Sequence, residues 1–195
     1  MNVSASDFFK QQSSGLFSLG TRNTVSVFNG SHHGSPGIGI GGQFRIQVND
    51  RLSTEWYADW ITSSVGKYIS RNDYHIGWSV MFYPGKQLYF ESPLQPYIII
   101  GHCFDRSILF EKKDKANSSD RLSMATQAGL GCHLNITKEL DLSLSAQYML
   151  HFGKELEYSD TEGIVKFNSE DYSVPSGHLL ITLSANYKFG KLWKS

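Results

Sequence analysis

Apolar and polar residues trade places at every second position through most of the chain, and the last such run sets the pattern for the rest. In residues 179–189, Leu179, Ile181, Leu183, Ala185, Tyr187 and Phe189 alternate with Leu180, Thr182, Ser184, Asn186 and Lys188. Successive side chains of a strand point to opposite faces, so a period of two predicts a ribbon with one greasy face and one largely polar face. The same period recurs upstream. Residues 21–28 set Val25 and Val27 against Thr24 and Ser26. Residues 37–48 set Ile38, Ile40, Phe44, Ile46 and Val48 against Gly39, Gly41, Gln43, Arg45 and Gln47. In 52–62, Leu52, Thr54, Trp56, Ala58 and Trp60 oppose Ser53, Glu55, Tyr57 and Asp59. In 73–83, Ile76, Trp78, Val80 and Phe82 oppose His75, Gly77, Ser79 and Met81. Residues 122–135 place Met124, Ala128, Leu130, Cys132 and Leu134 opposite Gln127, Gly129, Gly131 and His133. The cleanest run is 140–152, where Leu140, Leu142, Leu144, Ala146, Tyr148, Leu150 and Phe152 oppose Asp141, Ser143, Ser145, Gln147, Met149 and His151. One further predicted strand, 96–107, opens on PYIIIGHCF, where alternation fails. Its apolar face is either Ile98 with Ile100 or Tyr97 with Ile99.

These runs make eight strands, and an even count returns both chain ends to one side. Short turns are predicted at Asn49-Asp50-Arg51 and Thr137-Lys138-Glu139, and long polar loops at 29–36, 62–72, 110–120 and 153–177. Only the connection at 84–95 breaks the rule of short turns at one end and long loops at the other. The pattern predicts an all-β fold, an eight-stranded antiparallel up-and-down transmembrane β-barrel. It divides the chain into an N-terminal periplasmic lead-in at 1–20, a barrel over 21–190 and a C-terminal tail at 191–195. Within the lead-in, Ser4 or Ser6 is placed to cap a short helix ahead of Asp7-Phe8-Phe9. Pairing Val48 with Leu52 puts Arg45 opposite Glu55, with Asp59 further out on the same face. Pairing Leu134 with Leu140 brings His133 next to Asp141.

Alternation alone does not say which face is wet, because a soluble lipocalin-type barrel turns its greasy face inward around a ligand. Three features favour a membrane. The apolar face is large and nearly free of charge, with Trp56, Trp60, Trp78, Tyr148, Tyr187 and Phe189 near strand ends as a lipid-facing aromatic girdle. The opposite face is mostly Gly, Ser, Thr, Gln and Asn with sparse, pairable charges, where a soluble surface carries many Lys and Glu. The closing strand ends on an aromatic. Composition agrees: 18 Lys and Arg balance 18 Asp and Glu, with pI about 7.1, which gives no electrostatic case for nucleic acid. No apolar run reaches the ~20 residues of a spanning helix. Residues 1–20 are too polar for a secretory signal, so the barrel reading implies a chain whose export signal has been removed. Cys103 and Cys132 fall at opposite ends of neighbouring strands, which predicts two free thiols.

Four segments carry a resemblance: GIGIGGQFRIQVNDRLSTEW (37–56), FYPGKQLYFESPLQPYIIIG (82–101), AGLGCHLNITKELDLSLSAQY (128–148) and LSANYKF (183–189). Together they resemble the small outer-membrane β-barrel domain family common in Bacteroidota, related in build to OmpA and OmpX barrels. The resemblance implies the cell outer membrane as the location and outer-membrane lipids as the surroundings. LSANYKF is similar to the signal by which the barrel-assembly machinery recognises its clients during biogenesis, although GKLWKS follows it here.

The predicted interior polar set is Arg45, Glu55, Asp59, His75, Gln127, His133, Asp141, Gln147, His151 and Lys188. An eight-stranded barrel is just wide enough for side chains to fill it. The set therefore reads first as a satisfied structural core, with Arg45, Glu55, Asp59, His133, Asp141 and Lys188 as its charged members. The sharper reading is a narrow pore gated by opening of an Arg45–Glu55 pair. Some eight-stranded outer-membrane barrels are lipid A deacylases, and QYMLHFGKELE (147–157) resembles their catalytic segment, with His151 and Glu155 or Glu157 in place. Gly153 stands where the nucleophilic Ser belongs, and alternation turns His151 inward, so there is no hydroxyl to activate. His32 and His33 lie in a Gly/Ser loop without metal-ligand spacing. No phosphate loop, zinc spacing or CxxC pair occurs, so no cofactor is expected. The expected function is a structural or surface-presenting outer-membrane barrel without catalysis. The alternative is an accessory subunit docking to other outer-membrane proteins.

Overall fold

The computed structural model describes residues 13–28, 36–85, 92–153, 156–161, 164–169 and 176–193. They form β1 (Leu16–Phe28), β2 (Gly37–Asn49), β3 (Leu52–Val65), β4 (Ile69–Phe82), β5 (Leu94–Glu111), β6 (Ser118–Asn135), β7 (Leu140–Phe152), β8 (Leu156–Thr161), β9 (Ile164–Ser169) and β10 (Ser176–Lys191). β1–β7 and β10 close in the order β1-β10-β7-β6-β5-β4-β3-β2, each pair antiparallel, while β8 and β9 form a separate two-stranded sheet. Closure removes the exposed sheet edges that would otherwise be left without hydrogen bonds in a membrane. The described residues contain no helix.

Alternation is obeyed around the whole barrel, and it runs inside-out relative to a soluble protein. Leu144 is 57% exposed and its neighbour Ser145 7%. Ile40, Trp60, Ile76, Ile100, Leu130 and Leu183 are exposed, whereas Arg22, Glu55, Asp73, Asp105, Gln127 and Asn186 are buried. On β5 the open question resolves: Tyr97 and Ile99 point inward and Ile98 and Ile100 outward. Cys103 is buried and Cys132 half-buried, both as free thiols.

The strand boundaries differ from the predicted ones chiefly at the long-loop end. β3 and β4 run on to a tight turn at Gly66 (φ +68°), and β5 and β6 extend to residues 111 and 118, so the predicted loop 62–72 is mostly strand and the predicted loop 110–120 shrinks to 112–117. There Val65, Ile69 and Leu109 turn inward, so the inner face becomes apolar and the polar-in, apolar-out pattern is lost. The predicted loop 153–177 contains the β8–β9 hairpin. β1 starts at Leu16 rather than Thr21, behind a register shift between Phe17 and Ser18. Past the end of β10, the Leu192 N–H donates to the Gly15 carbonyl (2.8 Å) and Trp193 Nε1–H to Ser14 Oγ (3.2 Å). Gly15 has φ +82°, and Trp193 lies against it where a side chain would stand, so the end of the chain packs onto the start of the barrel. The predicted cap at Ser4 or Ser6, the loop with His32 and His33, and residues 86–91 of the 84–95 connection lie outside the described residues.

Two predicted registers need correction. Arg45 does face Glu55, but a bulge after Gln47 pairs Leu52 with Asn49 instead of Val48; the Asn49 side chain accepts from the Arg51 and Leu52 N–H groups. Between β6 and β7, Leu134 pairs with Leu142, not Leu140, so His133 faces Ser143 and Asp141 faces Asn135. The cause is the turn: the Leu140 carbonyl accepts from Ile136 and Thr137 N–H, and Thr137 Oγ1 accepts from Glu139 and Leu140 N–H, which makes it two residues longer in effect. His133 and Asp141 still share the inner face.

Candidate functional site

The lumen is filled in layers. At the short-turn end, Arg45 anchors an ion-pair network. Its Nε–H donates to Glu55 (2.7 Å), its Nη1–H to Asp141 (3.1 Å), and its Nη2–H to Ser143 and Ser184 (3.2 and 3.3 Å). Lys188 Nζ reaches Asp141 (3.4 Å) and Asn135 (2.8 Å), and Asn186 Nδ2–H donates to Asp141 (3.0 Å). Asp59 does not join Arg45: it pairs with Arg22 (3.0 Å), which also reaches Glu55 (3.3 Å) and lies 4.2 Å from the centre of the Tyr57 ring. His133 bonds Ser143 and lies 2.9 Å from the Tyr83 hydroxyl and 3.9 Å from Asp141. Burial pushes the phenol of Tyr83, beyond the end of β4, above its usual range, so it stays protonated. The predicted set of Arg45, Glu55, Asp59, His133, Asp141 and Lys188 is therefore one connected network, completed by Arg22.

Above it the lumen becomes apolar. Tyr57, Ile61, Cys103, Ala125, Met149 and Leu180 pack together, with the Tyr57 hydroxyl donating to Gln127 (3.0 Å) and Gln127 to Ser79 (2.9 Å). Further out, Asp105 collects His75 Nε2 (3.3 Å), His151 Nδ1 (3.2 Å) and the hydroxyls of Ser107 and Ser123 (3.2 and 3.1 Å). His178 lies 3.2 Å from His151 and stacks on His75 at 5.9 Å between ring centres. Arg71 donates to Asp73 (2.7 Å) and Ser107 donates to the same carboxylate (2.6 Å). At the mouth, Val165 of the hairpin is buried against Val65, Ile69 and Leu109.

Outside, all six predicted girdle residues face away from the lumen. Tyr187, Phe189, Phe17, Phe44 and Trp56 form a continuous arc across β10, β1, β2 and β3, with successive ring centres 5.0, 6.2, 6.3 and 4.9 Å apart. Trp78 faces Trp56 across β3 and β4, Trp60 lies mid-strand, and Tyr148 is exposed on β7. The arc is at the short-turn end, where an interfacial girdle belongs.

Sequence reasoning missed Arg22, Asp105 and His178. Arg22 has the parity of Thr24 and Ser26, so its facing was legible in the pattern. Asp105 was hidden by the failed alternation of its strand, and His178 lay outside the predicted closing strand. The deacylase segment gains no support: His151 is 2% exposed inside the lumen, held by Asp105, Ser123 and His178, and cannot meet a lipid at the wall. Among the described residues no group of three or more His, Cys, Asp or Glu is arranged to hold a metal ion.

No protein-family model matches the chain, and no curated protein does. Solved structures do. Neisserial surface protein A, at 16% identity, matches with a TM-score of 0.61 over 89% of this chain and 97% of its own. A major outer membrane protein of Thermus thermophilus matches at 12% identity with a TM-score of 0.58 over 89% and 99%. Outer membrane protein W of E. coli matches at 15% identity with a TM-score of 0.56 over 92% and 100%. At such identities the likeness is one of fold: the chain is a closed eight-stranded antiparallel β-barrel of transmembrane type, the architecture of these outer-membrane proteins.

Proposed function

We propose that the protein is an integral barrel of the outer membrane that presents its long-loop end to the exterior and performs no catalysis. One observation carries the reading: a predominantly apolar wall surrounds a lumen whose charges are paired. Each paired charge would be costly in hydrocarbon and is stable only inside the closed cylinder. The strand patterns at 37–56 and 128–148 support kinship with the small Bacteroidota barrels, and the closing strand supports handling by the barrel-assembly machinery. The interior acts as a rigid polar core rather than a conduit, because the Tyr57–Met149 layer crosses it. Purified protein in planar bilayers is expected to show no steady single-channel conductance. Sustained conductance that responds to Arg45→Ala would make it the gated pore instead.

A second reading, an accessory subunit of a larger assembly, is favoured by one strip of wall. Ala185, Thr21, Gly42 and Ala58 are register partners across β10, β1, β2 and β3, and Asn23 is exposed just above them. An amide facing hydrocarbon gains from a hydrogen-bonding protein neighbour, and small residues let that neighbour approach. Mild detergent extraction from native membranes should then recover a partner with the wild type and lose it with Asn23→Leu. Recovery of the barrel alone would leave the first reading.

A further inference from the structure

We infer that Leu192 and Trp193 form a releasable clasp that keeps the β1–β10 seam of the barrel shut. That seam differs in kind from the others. Every other neighbouring pair of the ring is joined by a connecting segment, β7 and β10 by the one that carries β8 and β9; β1 and β10 are the first and last strands and share none. A connecting segment holds two strands at high effective concentration even when their ladder frays, and this seam lacks that help. Its ladder is also imperfect at the short-turn end. Phe17 pairs with Gly190 but Ser18 with Lys188, which leaves Phe189 as an extra residue without a partner. Gly190 takes up the bulge at φ +139°, a conformation that suits glycine. Opening here would leave two strand edges with unpaired backbone groups facing hydrocarbon.

The clasp lies just beyond the bulge. Leu192 N–H donates to the Gly15 carbonyl (2.8 Å), Trp193 Nε1–H donates to Ser14 Oγ (3.2 Å), and the indole lies where a side chain at Gly15 would stand. Residues 13–15 are themselves held by the end of β2 and the turn after it. Ser14 Oγ–H donates to the Val48 carbonyl (2.8 Å), Gly15 N–H to the Gln47 carbonyl (2.8 Å), and Ser13 N–H to Asp50 Oδ1 (3.0 Å). One hydroxyl thus accepts from the indole and donates to β2, and each bond polarises the other. On the opposite flank of β10, Lys188 N–H donates to the Glu139 carbonyl in the β6–β7 turn (2.7 Å). These bonds run from the β6–β7 turn through β10, Leu192 and Trp193 to residues 13–15 and the β2–β3 turn, and they cross the seam on the way. They supply the tie that a connecting segment supplies elsewhere. Because the tie is a few hydrogen bonds and one ring contact, it can be released while the rest of the barrel stays folded.

Hydrogen exchange on the full chain, refolded in detergent micelles, tests this. In the wild type the Leu192 amide should exchange at least about tenfold more slowly than its intrinsic rate. A chain stopped after Lys191 keeps all of β10 but loses the clasp. Its amides in 16–22 and 183–190 should lose at least about tenfold of their protection, while β4 and β5, across the ring, keep theirs. Trp193→Ala should give a smaller loss at the same places. Added to Ser14→Ala it should cost less than it does alone, because the two changes remove one shared bond. A Leu192 amide that exchanges at its intrinsic rate while the barrel is protected overturns the clasp. So does unchanged seam protection in the shortened chain, or a loss spread equally over all eight strands, which would make these residues a general stabiliser. Where the shortened chain does not fold, Trp193→Ala is judged by the same two outcomes.

Discussion

Arg45 spans the space between β2, β3 and β7 as a single fork, and its value to the fold lies in what its loss would strand. Glu55 would keep only Arg22, and Asp141 only Lys188 and His133 among the charged groups named. Breaking a buried pair from one side costs about 3–5 kcal/mol, whereas the desolvated pair itself contributes far less. Arg45→Met should therefore lower the unfolding free energy, read from urea titration in micelles, by an amount in that range. Arg45→Met with Glu55→Gln and Asp141→Asn should recover part of it. Gly131 poses a subtler residue-scale constraint. A Cβ there would enter the Tyr97 ring, which lies 4.4 Å from the His133 ring and edge-on to Tyr83. Gly131→Ala should destabilise the barrel by about 1–3 kcal/mol, as overpacking does. A double-mutant cycle with Tyr97→Ala should show the two changes strongly coupled. Parity in the sequence announced Arg45, Glu55 and Asp141, but a glycine in a polar parity looks like any small inward residue. That Tyr97 covers Gly131 depends on cross-strand register, which the sequence pattern does not contain.

At the scale of the strand, the pattern was legible wherever one face met lipid and the other the lumen. β7 matches its predicted bounds because its whole length alternates. β3 to β6 outrun theirs because their outer ends leave the polar-in, apolar-out pattern: Val65, Ile69 and Leu109 are buried on the inner face, and Ser118 to Asp120 are polar on both faces. The closing turn of β6–β7 differs from the predicted one because side-chain capping by Thr137, not strand patterning, sets its length. β7 also gives the sharpest contrast between neighbours. Leu144→Arg should cost about 2–4 kcal/mol of refolding free energy into lipid vesicles if it lies at the bilayer midplane. Ser145→Arg introduces the same charge one residue along, into the lumen, so its cost should follow packing and the nearby carboxylates and should not depend on acyl-chain thickness. Repeating both in thinner bilayers separates them: only the Leu144 variant should become less costly.

At the scale of the molecule, the barrel is a soluble protein's logic reversed, with its ion pairs at the centre and its oily residues at the perimeter. Closure of the sheet, the layering of the lumen and the docking of Leu192 and Trp193 onto Gly15 and Ser14 all presuppose that perimeter. Tryptophan fluorescence reads it directly. The chain has four tryptophans, and Trp193→Phe leaves Trp56, Trp60 and Trp78, all on the wall. Refolded into vesicles, that variant should be strongly quenched by lipids brominated along the acyl chain and little affected by a water-soluble quencher. Indifference to brominated lipid, with full access from water, would contradict the account.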